Sequence, residues 1–330
     1  MDSQAQLSAI IVSATEPDSV LRDCVSALRT EVPDCEVVLV DNGGSKERLD
    51  RLAAEIGNAK CVSGHGNVGY GRGNNLGVTA AGGTHVLVVN PDTRLVSADH
   101  RLLAGLFAVE PFGIVAPLHL DPDGQERFHV YPGDRWPGHL FKEQVLAPLY
   151  PRELRPRKRY ARPEDDGAWI GGAFTMFRKD EFEALGGFDE RYFLYYEDRD
   201  ITNRYRRAGL PVRTHRSLVA EHGEGASFAD EEADVRRSLW RIMGWLEYVS
   251  IWDGRRAAAV ALRGLLATYA VIGALLSPVP PRGGFAARMR RKGRELRAVR
   301  EAVLRAQQLL PEPAAGAYPD VLALIAGRAR

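Results

Sequence analysis

A chain of 330 residues with 45% hydrophobic content is long enough for one large domain with an appendage, or for two domains. A formal net charge of +1 excludes a chain-wide field of the kind that draws nucleic acid or an acidic partner, so charge has to be read locally. The three cysteines, Cys24, Cys35 and Cys61, are odd in number and lack metal spacing, which argues against a disulfide framework and for a reducing cytoplasm.

The first six residues carry no basic region, so no signal peptide is expected. Residues 7–14 form a short apolar run bounded by polar residues, the pattern of a central strand buried on both faces. Residues 18–29 read as a helix with Val20, Leu21, Cys24, Val25 and Leu28 on one face, and residues 35–40 as a second strand ending at Asp41-Asn42-Gly43-Gly44. A helix over 49–56, a short strand at 61–62 and a buried strand over 84–89 continue the alternation. This predicts an α/β fold, a Rossmann-like, mostly parallel sheet flanked by helices.

In such a sheet ligands bind beyond the carboxyl ends of the strands, and those ends carry Thr15 and Glu16, then Asp41 and Asn42, then Asn90-Pro91-Asp92-Thr93. Between them, residues 64–77 are glycine-rich and predict a tight loop ahead of a helix, able to cradle phosphate. The spacing is neither a Rossmann fingerprint nor a Walker loop. Asp92 follows a buried strand on a proline-fixed turn, which suits a divalent ion held against a diphosphate, and a hard oxygen ligand favours Mg2+ or Mn2+. A plain Pro-Asp turn is the alternative.

Residues 121–166 are rich in Pro, Gly and Arg with few periodic apolar positions, and read as a long surface loop or lid. The densest chemistry follows, in residues 169–178 and 186–200. It reads as a small-residue turn, an apolar strand, a short helix ended by a glycine pair, an aromatic loop, and a helix opened by Glu197, Asp198 and Asp200 that stops at Gly209. Gly171 and Gly172 allow close approach to a ligand, and Trp169, Tyr192, Tyr195 and Tyr196 offer flat faces that suit sugar rings. A carboxylate in the first helical turn that faces a pocket can act as a general base. Ordinary helix capping, with Asp200 and Arg204 as an i, i+4 pair, is the structural alternative.

After residue 228 the pattern turns helical over 230–248, 254–276 and 286–310, with a proline-rich break at 277–281. Residues 257–276 are apolar, but Arg263 and the Ala and Gly content predict a packed helix instead of a membrane span. Residues 282–305 set nine basic side chains, Arg282, Arg288, Arg290, Arg291, Lys292, Arg294, Arg297, Arg300 and Arg305, against Glu295 and Glu301. Phe285, Met289, Leu296, Val299, Val303 and Leu304 recur at near-helical spacing, so this helix is amphipathic. One expectation is peripheral contact with an anionic membrane. A solvated face of a packed helix, or a homodimer contact, is the plainer reading and carries slightly more weight. No recognition motif for nucleic acid accompanies the charge.

Five blocks together carry a family resemblance: Val40-Asp41-Asn42; residues 66–77; Asn90-Pro91-Asp92; Gly171-Gly172-Ala173-Phe174; and Gly187-Phe188-Asp189-Glu190 with Tyr196-Glu197-Asp198-Arg199-Asp200. In this order the chain resembles the family 2 glycosyltransferases, nearest the rhamnosyltransferase-like branch, over residues 7–228. The resemblance implies a GT-A fold over residues 1–230, with a nucleotide-sugar half at about 1–95, an acceptor half at about 96–230, and a helical extension over 231–330. It implies an inverting transfer from a nucleotide-diphosphate sugar, dTDP- or UDP-linked, to an acceptor hydroxyl, by an enzyme in the cytoplasm or peripheral on the inner membrane face. Thr15, Asp41, Asn67, Gly69, Arg72, Asn74, Asn90 and Asp92 would line the nucleotide-sugar site, and Trp169, Gly171, Gly172 and Tyr196 the acceptor site. Asp198 would be the base, with Glu197 the alternate base or an acceptor-binding group. Asp92 resembles the last acid of the family's Asp-X-Asp metal motif, whose first acid is Asn90 here, and His222 matches a histidine that approaches the metal. A sugar nucleotidyltransferase, or a non-catalytic nucleotide-sugar-binding protein, is the alternative. The former would be expected to carry a basic glycine-rich first loop, where this chain has Ser13-Ala14-Thr15-Glu16.

Overall fold

A computed structural model describes residues 6–43, 46–57, 59–120, 124–131, 162, 168–222, 231–276, 284–309 and 316–327. The chain divides into two compact units, the first formed by residues 1–133, 160–193 and 197–227, the second by 134–159, 194–196 and 228–330.

The first unit is built on β1 (Leu7–Ser13), in which all seven residues are buried. Successive side chains of a strand point to opposite faces. Ala9 and Ile11 accordingly join one hydrophobic core while Ile10 and Val12 join the other, and Val37/Leu39 and Val38/Val40 of β2 (Glu36–Asp41) divide the same way. Helix α1 (Asp18–Glu31) covers the first face with Leu21, Cys24, Val25 and Leu28. Helix α2 (Lys46–Ile56) follows, then β3 (Ala59–Val62), α3 (Tyr70–Ala80), β4 (His85–Val89) and β5 (Thr93–Ala98). Strands β1, β2, β3 and β4 pair in parallel, as the alternation predicts.

Helix α4 (His100–Phe107) is capped by Asp99, whose Oδ1 accepts the Arg101 and Leu102 N–H groups at 3.0 and 2.9 Å. Beyond it lie β6 (Ile114–Leu120), β7 (Glu126–Phe128), β8 (Val130–Tyr131), β9 (Trp169–Ile170) and β10 (Phe174–Arg178). Helices α5 (Lys179–Ala184) and α6 (Glu197–Arg207) and strand β11 (Val212–His222) complete the unit. The main sheet runs β3-β2-β1-β4-β10-β6-β11-β5 with β7 on β6, and β8 pairs with β9 in a separate ribbon. Its second half is mixed: β10 is antiparallel to β4 and β6, β11 is parallel to β6, and β5 is antiparallel to β11.

Two expectations change. The stretch 121–166 was read as one long loop, yet it contains β7 and β8; most of the remainder lies outside the described residues. The glycine stretch 64–77 is not all loop, because α3 begins at Tyr70 and takes Gly71, Gly73 and Gly77 into its interior. Their role is close approach. A Cβ on Gly77 would lie 2.3 Å from Ile10 Cγ2, and one on Gly73 would lie 3.0 Å from Val12 Cγ1, so bare backbone is what lets this helix lie against β1.

The second unit holds α7 (Glu231–Asp253), α8 (Arg255–Leu276), α9 (Gly284–Leu304), a short α10 (Ala306–Leu309) and α11 (Pro319–Ala326). Helices α7, α8 and α9 pack on one another, and α11 packs on α7 and α8. The Tyr318 hydroxyl donates to the Leu194 carbonyl at 2.8 Å and accepts the Leu194 N–H at 3.0 Å. Helix α8 is long and apolar enough to cross a membrane by length and composition. Ala258, Ala261, Leu262, Leu265, Leu266, Tyr269 and Gly273 form its buried face, while Val260, Val271 and Leu275 are exposed. On α9, Met289, Leu296, Val299 and Val303 are buried and Arg290, Arg291, Arg294 and Arg297 are exposed.

Candidate functional site

The helix that opens with the acidic cluster forms as its sequence implies. Carboxylates occupy the first turn of α6 and Arg204, Arg206 and Arg207 the last, in the sense that favours the helix dipole. At its end Gly209, with φ +73, takes the left-handed turn, and Leu210 N–H reaches back to the Tyr205 carbonyl at 3.0 Å.

Within that turn the three carboxylates differ. Asp200, 1% exposed, is bound by Arg204 Nε at 2.7 Å, so it is structural, as the i, i+4 alternative holds. Glu197 is 4% exposed and lies under α3, its Cβ 3.4 Å from where a Cβ on Gly71 would stand. Its Oε2 is buried without a hydrogen-bond partner, and burial, then the neighbouring Asp198, pushes its carboxyl well above the usual range. Asp198 is half-buried. Oδ2 accepts the Gly172 N–H at 3.1 Å and Oδ1 the Arg199 N–H at 2.8 Å. Burial raises Asp198 to about 6, and those backbone N–H groups hold it from rising further. The Thr202 hydroxyl donates to the Asp198 carbonyl at 2.8 Å and accepts the Ile170 N–H at 3.4 Å, which ties β9 to the helix start.

Gly172 therefore touches the carboxylate directly: a Cβ there would stand 3.4 Å from Asp198 Cβ and 3.5 Å from Tyr70 Cε1. Gly171 donates to the His129 carbonyl at 2.9 Å and accepts from the Thr175 hydroxyl at 2.8 Å. Trp169 stacks on Tyr131, with ring centres 4.6 Å apart. Tyr192 is fully buried, so the expectation that it offers a face to a sugar fails; its ring is core. Tyr195 and Tyr196 both sit at positive φ, +69 and +78, a costly conformation for bulky side chains that no sequence pattern announces. In the second unit Tyr196 lies 5.7 Å from the Tyr248 ring, and the Arg241 guanidinium lies 5.3 Å from the Tyr195 ring.

At the strand ends of the first unit, Asp41 closes β2, 3% exposed, with Oδ1 accepting the Gly43 N–H at 2.9 Å and Oδ2 buried without a partner. Asn42, which the sequence marked as a polar group at the strand end, donates from Nδ2 to the Gly69 carbonyl at 2.8 Å. Asn67 Oδ1 accepts the Gly69 N–H at 3.2 Å. Asn74 is fully buried, donating to the Tyr70 carbonyl at 2.9 Å while its Oδ1 has no partner. Asn75, not foreseen, clasps the Phe188 backbone in both directions at 2.8 and 2.9 Å and so joins α3 to the segment leading to α6. Arg72 is about half-exposed and 3.3 Å from Glu190, and Thr15 is exposed beside Glu16.

Asn90 and Asp92 lie just past β4, both half-buried, with Asn90 N–H bonded to the Ala173 carbonyl at 2.8 Å. His222 is the last residue of β11 and pairs in register with Thr93, beside Asp92; its side chain lies outside the described residues. Among the described residues no group of three His, Cys, Asp or Glu side chains is gathered as a metal cage. The three thiols are each pushed up to about 12, chiefly by burial, so none is poised as a nucleophile.

Residues 8–185 match the model of glycosyl transferase family 2. An N-acetylglucosaminyl-diphospho-decaprenol L-rhamnosyltransferase of Mycobacterium tuberculosis is 30% identical over 262 residues, covering 71% of this chain and 84% of that one. The rhamnosyltransferase WbbL of Escherichia coli K12 is 25% identical over 251 residues, covering 73% and 92%. Among solved structures, GalNAc-T7 with UDP, GalNAc and Mn2+ superposes with a TM-score of 0.52 at 15% identity, over 94% of this chain and 59% of that one, a likeness of fold alone. With its α/β sheet, a family match spanning more than half its length and a relative at 30% identity over most of both chains, this chain belongs to glycosyl transferase family 2 and is a glycosyltransferase of GT-A fold.

Proposed function

We propose that the protein moves a deoxyhexose, L-rhamnose in the first instance, from a dTDP- or UDP-linked donor to a hydroxyl of a lipid-linked N-acetylglucosaminyl diphosphate, with inversion. The observation that carries the reaction type is Asp198, a half-buried carboxylate raised to about 6 and held towards Gly172. A base near neutral pKa removes the acceptor proton as the oxygen attacks the anomeric carbon, and the donor's nucleoside diphosphate leaves from the opposite face. The substrate class is supported by the mycobacterial relative. On the donor side, the unpartnered buried Asp41 Oδ2 suits a nucleobase N–H or ribose hydroxyl. Gly69, Asn67 and Asn74 shape the adjoining turn, Arg72 and Thr15 supply its rim, and Asn90 and Asp92 adjoin the diphosphate. Trp169, Gly171 and Gly172 form the acceptor side in the first unit.

A divalent cation fits this site thinly. Asp92 is one hard carboxylate, His222 is its neighbour by strand register, and Asn90 contributes no charge. Mg2+ accepts such a set, since it commonly binds through one or two carboxylates plus substrate phosphates. When bound, the ion offsets charge on the leaving diphosphate. The test is rhamnosyl transfer from dTDP-L-rhamnose to a short-chain prenyl diphospho-N-acetylglucosamine. Expected are one dTDP released per glycoside formed, loss of activity in excess EDTA with recovery on adding Mg2+ or Mn2+, and a fall of ~10²-fold or more in Asp92→Ala. Full activity in EDTA together with an active Asp92→Ala overturns the metal. Absence of glycoside from every dTDP- or UDP-sugar, together with pyrophosphate released from dTTP and a sugar 1-phosphate or with dTDP bound but not turned over, overturns rhamnosyl transfer in favour of its two alternatives.

The second unit supplies the membrane contact, on the inner face where a lipid-linked acceptor is found. Supporting it are the exposed arginines of α9 beside α8, whose Val260, Val271 and Leu275 are 51, 59 and 67% exposed. Each basic charge near an anionic surface contributes about 1 kcal/mol before screening. The protein should sediment with phosphatidylglycerol vesicles at low salt and be released at high salt, and replacing Arg290, Arg291, Arg294 and Arg297 by Gln should abolish sedimentation. Intact protein left in the supernatant at low salt sinks the membrane contact and favours a solvated or self-associating face.

A further inference from the structure

We infer that Tyr70 is a positioning residue that locks the donor-side turn to the base through its phenol. The inference rests on Asp198 being the base. The Tyr70 oxygen lies 2.8 Å from Asn90 Oδ1 and 2.8 Å from the Gly172 carbonyl. Burial, then Glu197, pushes this phenol well above its ordinary range, so it carries its proton throughout the working pH. One proton faces two acceptors. The phenol donates towards both the Asn90 Oδ1 and the Gly172 carbonyl, sharing its proton between them.

The phenol thus ties Asn90 to Gly172, and the Gly172 N–H donates onward to Asp198 Oδ2 at 3.1 Å. Gly172 is thus gripped on its carbonyl by α3 and on its amide by α6. The run links Asn90, two residues before Asp92, to the carboxylate that takes the acceptor proton. An ionised carboxylate at position 90 would accept more strongly than the amide oxygen and draw the single phenol proton away from the Gly172 carbonyl. The groups that set the charge around Asp198 are Glu197 and Arg199 on its own helix and Tyr70 from α3, itself near Asp92.

Tyr70→Phe removes one oxygen and keeps the ring. The expected result is a kcat lowered about tenfold, as a carboxylate held less firmly loses its aim, with dTDP affinity unchanged within about twofold. The acid limb of the kcat profile should move to higher pH, because a loosened Gly172 N–H stabilises the carboxylate less. Asn90→Asp should lower kcat in the wild-type background and add little in Tyr70→Phe, the non-additivity of partners in one network. If Tyr70→Phe does not yield folded protein, a carbon-13 NMR titration of the Asp198 carboxyl in ligand-free Asn90→Ala carries the same test, with an upward shift expected. Wild-type kcat and an unmoved acid limb in Tyr70→Phe, lost thermal stability alone, or an unmoved Asp198 titration in Asn90→Ala overturns the inference. Asp198→Asn assayed alongside separates the two ideas: if it is inactive while Tyr70→Phe is normal, only the inference about Tyr70 fails, and if it is active the base assignment fails.

Discussion

Asp198→Asn should lower rhamnosyl transfer at least ~10²-fold while dTDP binding stays near wild type, because the amide cannot take the acceptor proton. Glu197→Gln should keep most of the rate: Glu197 is 4% exposed beneath Gly71, and burial, then the neighbouring Asp198, pushes its carboxyl well above the usual range and disfavours its charged form. The wild-type kcat should rise with pH through about 6, the value to which burial lifts Asp198, and the limb should vanish from the residual rate of Asp198→Asn. Stability should move the other way. A carboxyl raised in the folded state, from 3.8 to about 6, contributes stability that is present below its unfolded value and lost as pH rises through about 6. Asp198→Asn should therefore melt above wild type at pH 8 and level with it near pH 4. Retention of more than about a tenth of wild-type turnover in Asp198→Asn would move the base elsewhere.

Gly69→Ala should be among the most damaging single-methyl changes in the first unit. Gly69 has φ +90 and ψ 170, a region nearly confined to glycine, and a Cβ there would stand 2.3 Å from the Phe193 carbonyl oxygen, which accepts the Tyr70 N–H at 2.8 Å. Backbone strain and backbone collision act together, so a loss of about 3 kcal/mol or more is expected, with the start of α3 displaced and dTDP binding lost. Gly105→Ala is the matched control. That residue is inside α4, a Cβ would meet nothing within 4 Å, and alanine is the better helix former, so the change should be neutral or stabilising by up to about 1 kcal/mol. Urea melts of the two variants decide it: Gly69→Ala as stable as Gly105→Ala would mean that the loop before α3 yields freely and does not hold the nucleotide turn.

Much of this protein is determined locally and is therefore legible without coordinates. The strands over 7–13, 36–41 and 85–89 are near-continuous apolar runs because both faces of the sheet are covered, and that pattern needs no knowledge of what covers them. The acidic start of α6 and its stop at Gly209 are set by dipole, capping and backbone freedom, all properties of neighbouring residues. Strand ends carrying Asp41 and Asn90-Pro91-Asp92 follow from the same alternation. What only the tertiary structure decided is which long-range partner each group meets. Gly73 reads as a loop residue, but the close approach to Val12 that its bare backbone permits sets it in a helix interior. Asp198, Glu197 and Asp200 look alike in sequence; the Gly172 N–H, burial under Gly71 and the Arg204 guanidinium give them three different surroundings. Tyr192 was offered to a ligand and is instead core, and Tyr70, which lies in the glycine-rich block but has no role assigned by it, sits between Asn90 and Gly172, 20 residues and 102 residues away along the chain. Periodicity records how each residue relates to its own element, while protonation and aim depend on groups brought together from distant elements, and those contacts leave no local trace in the chain.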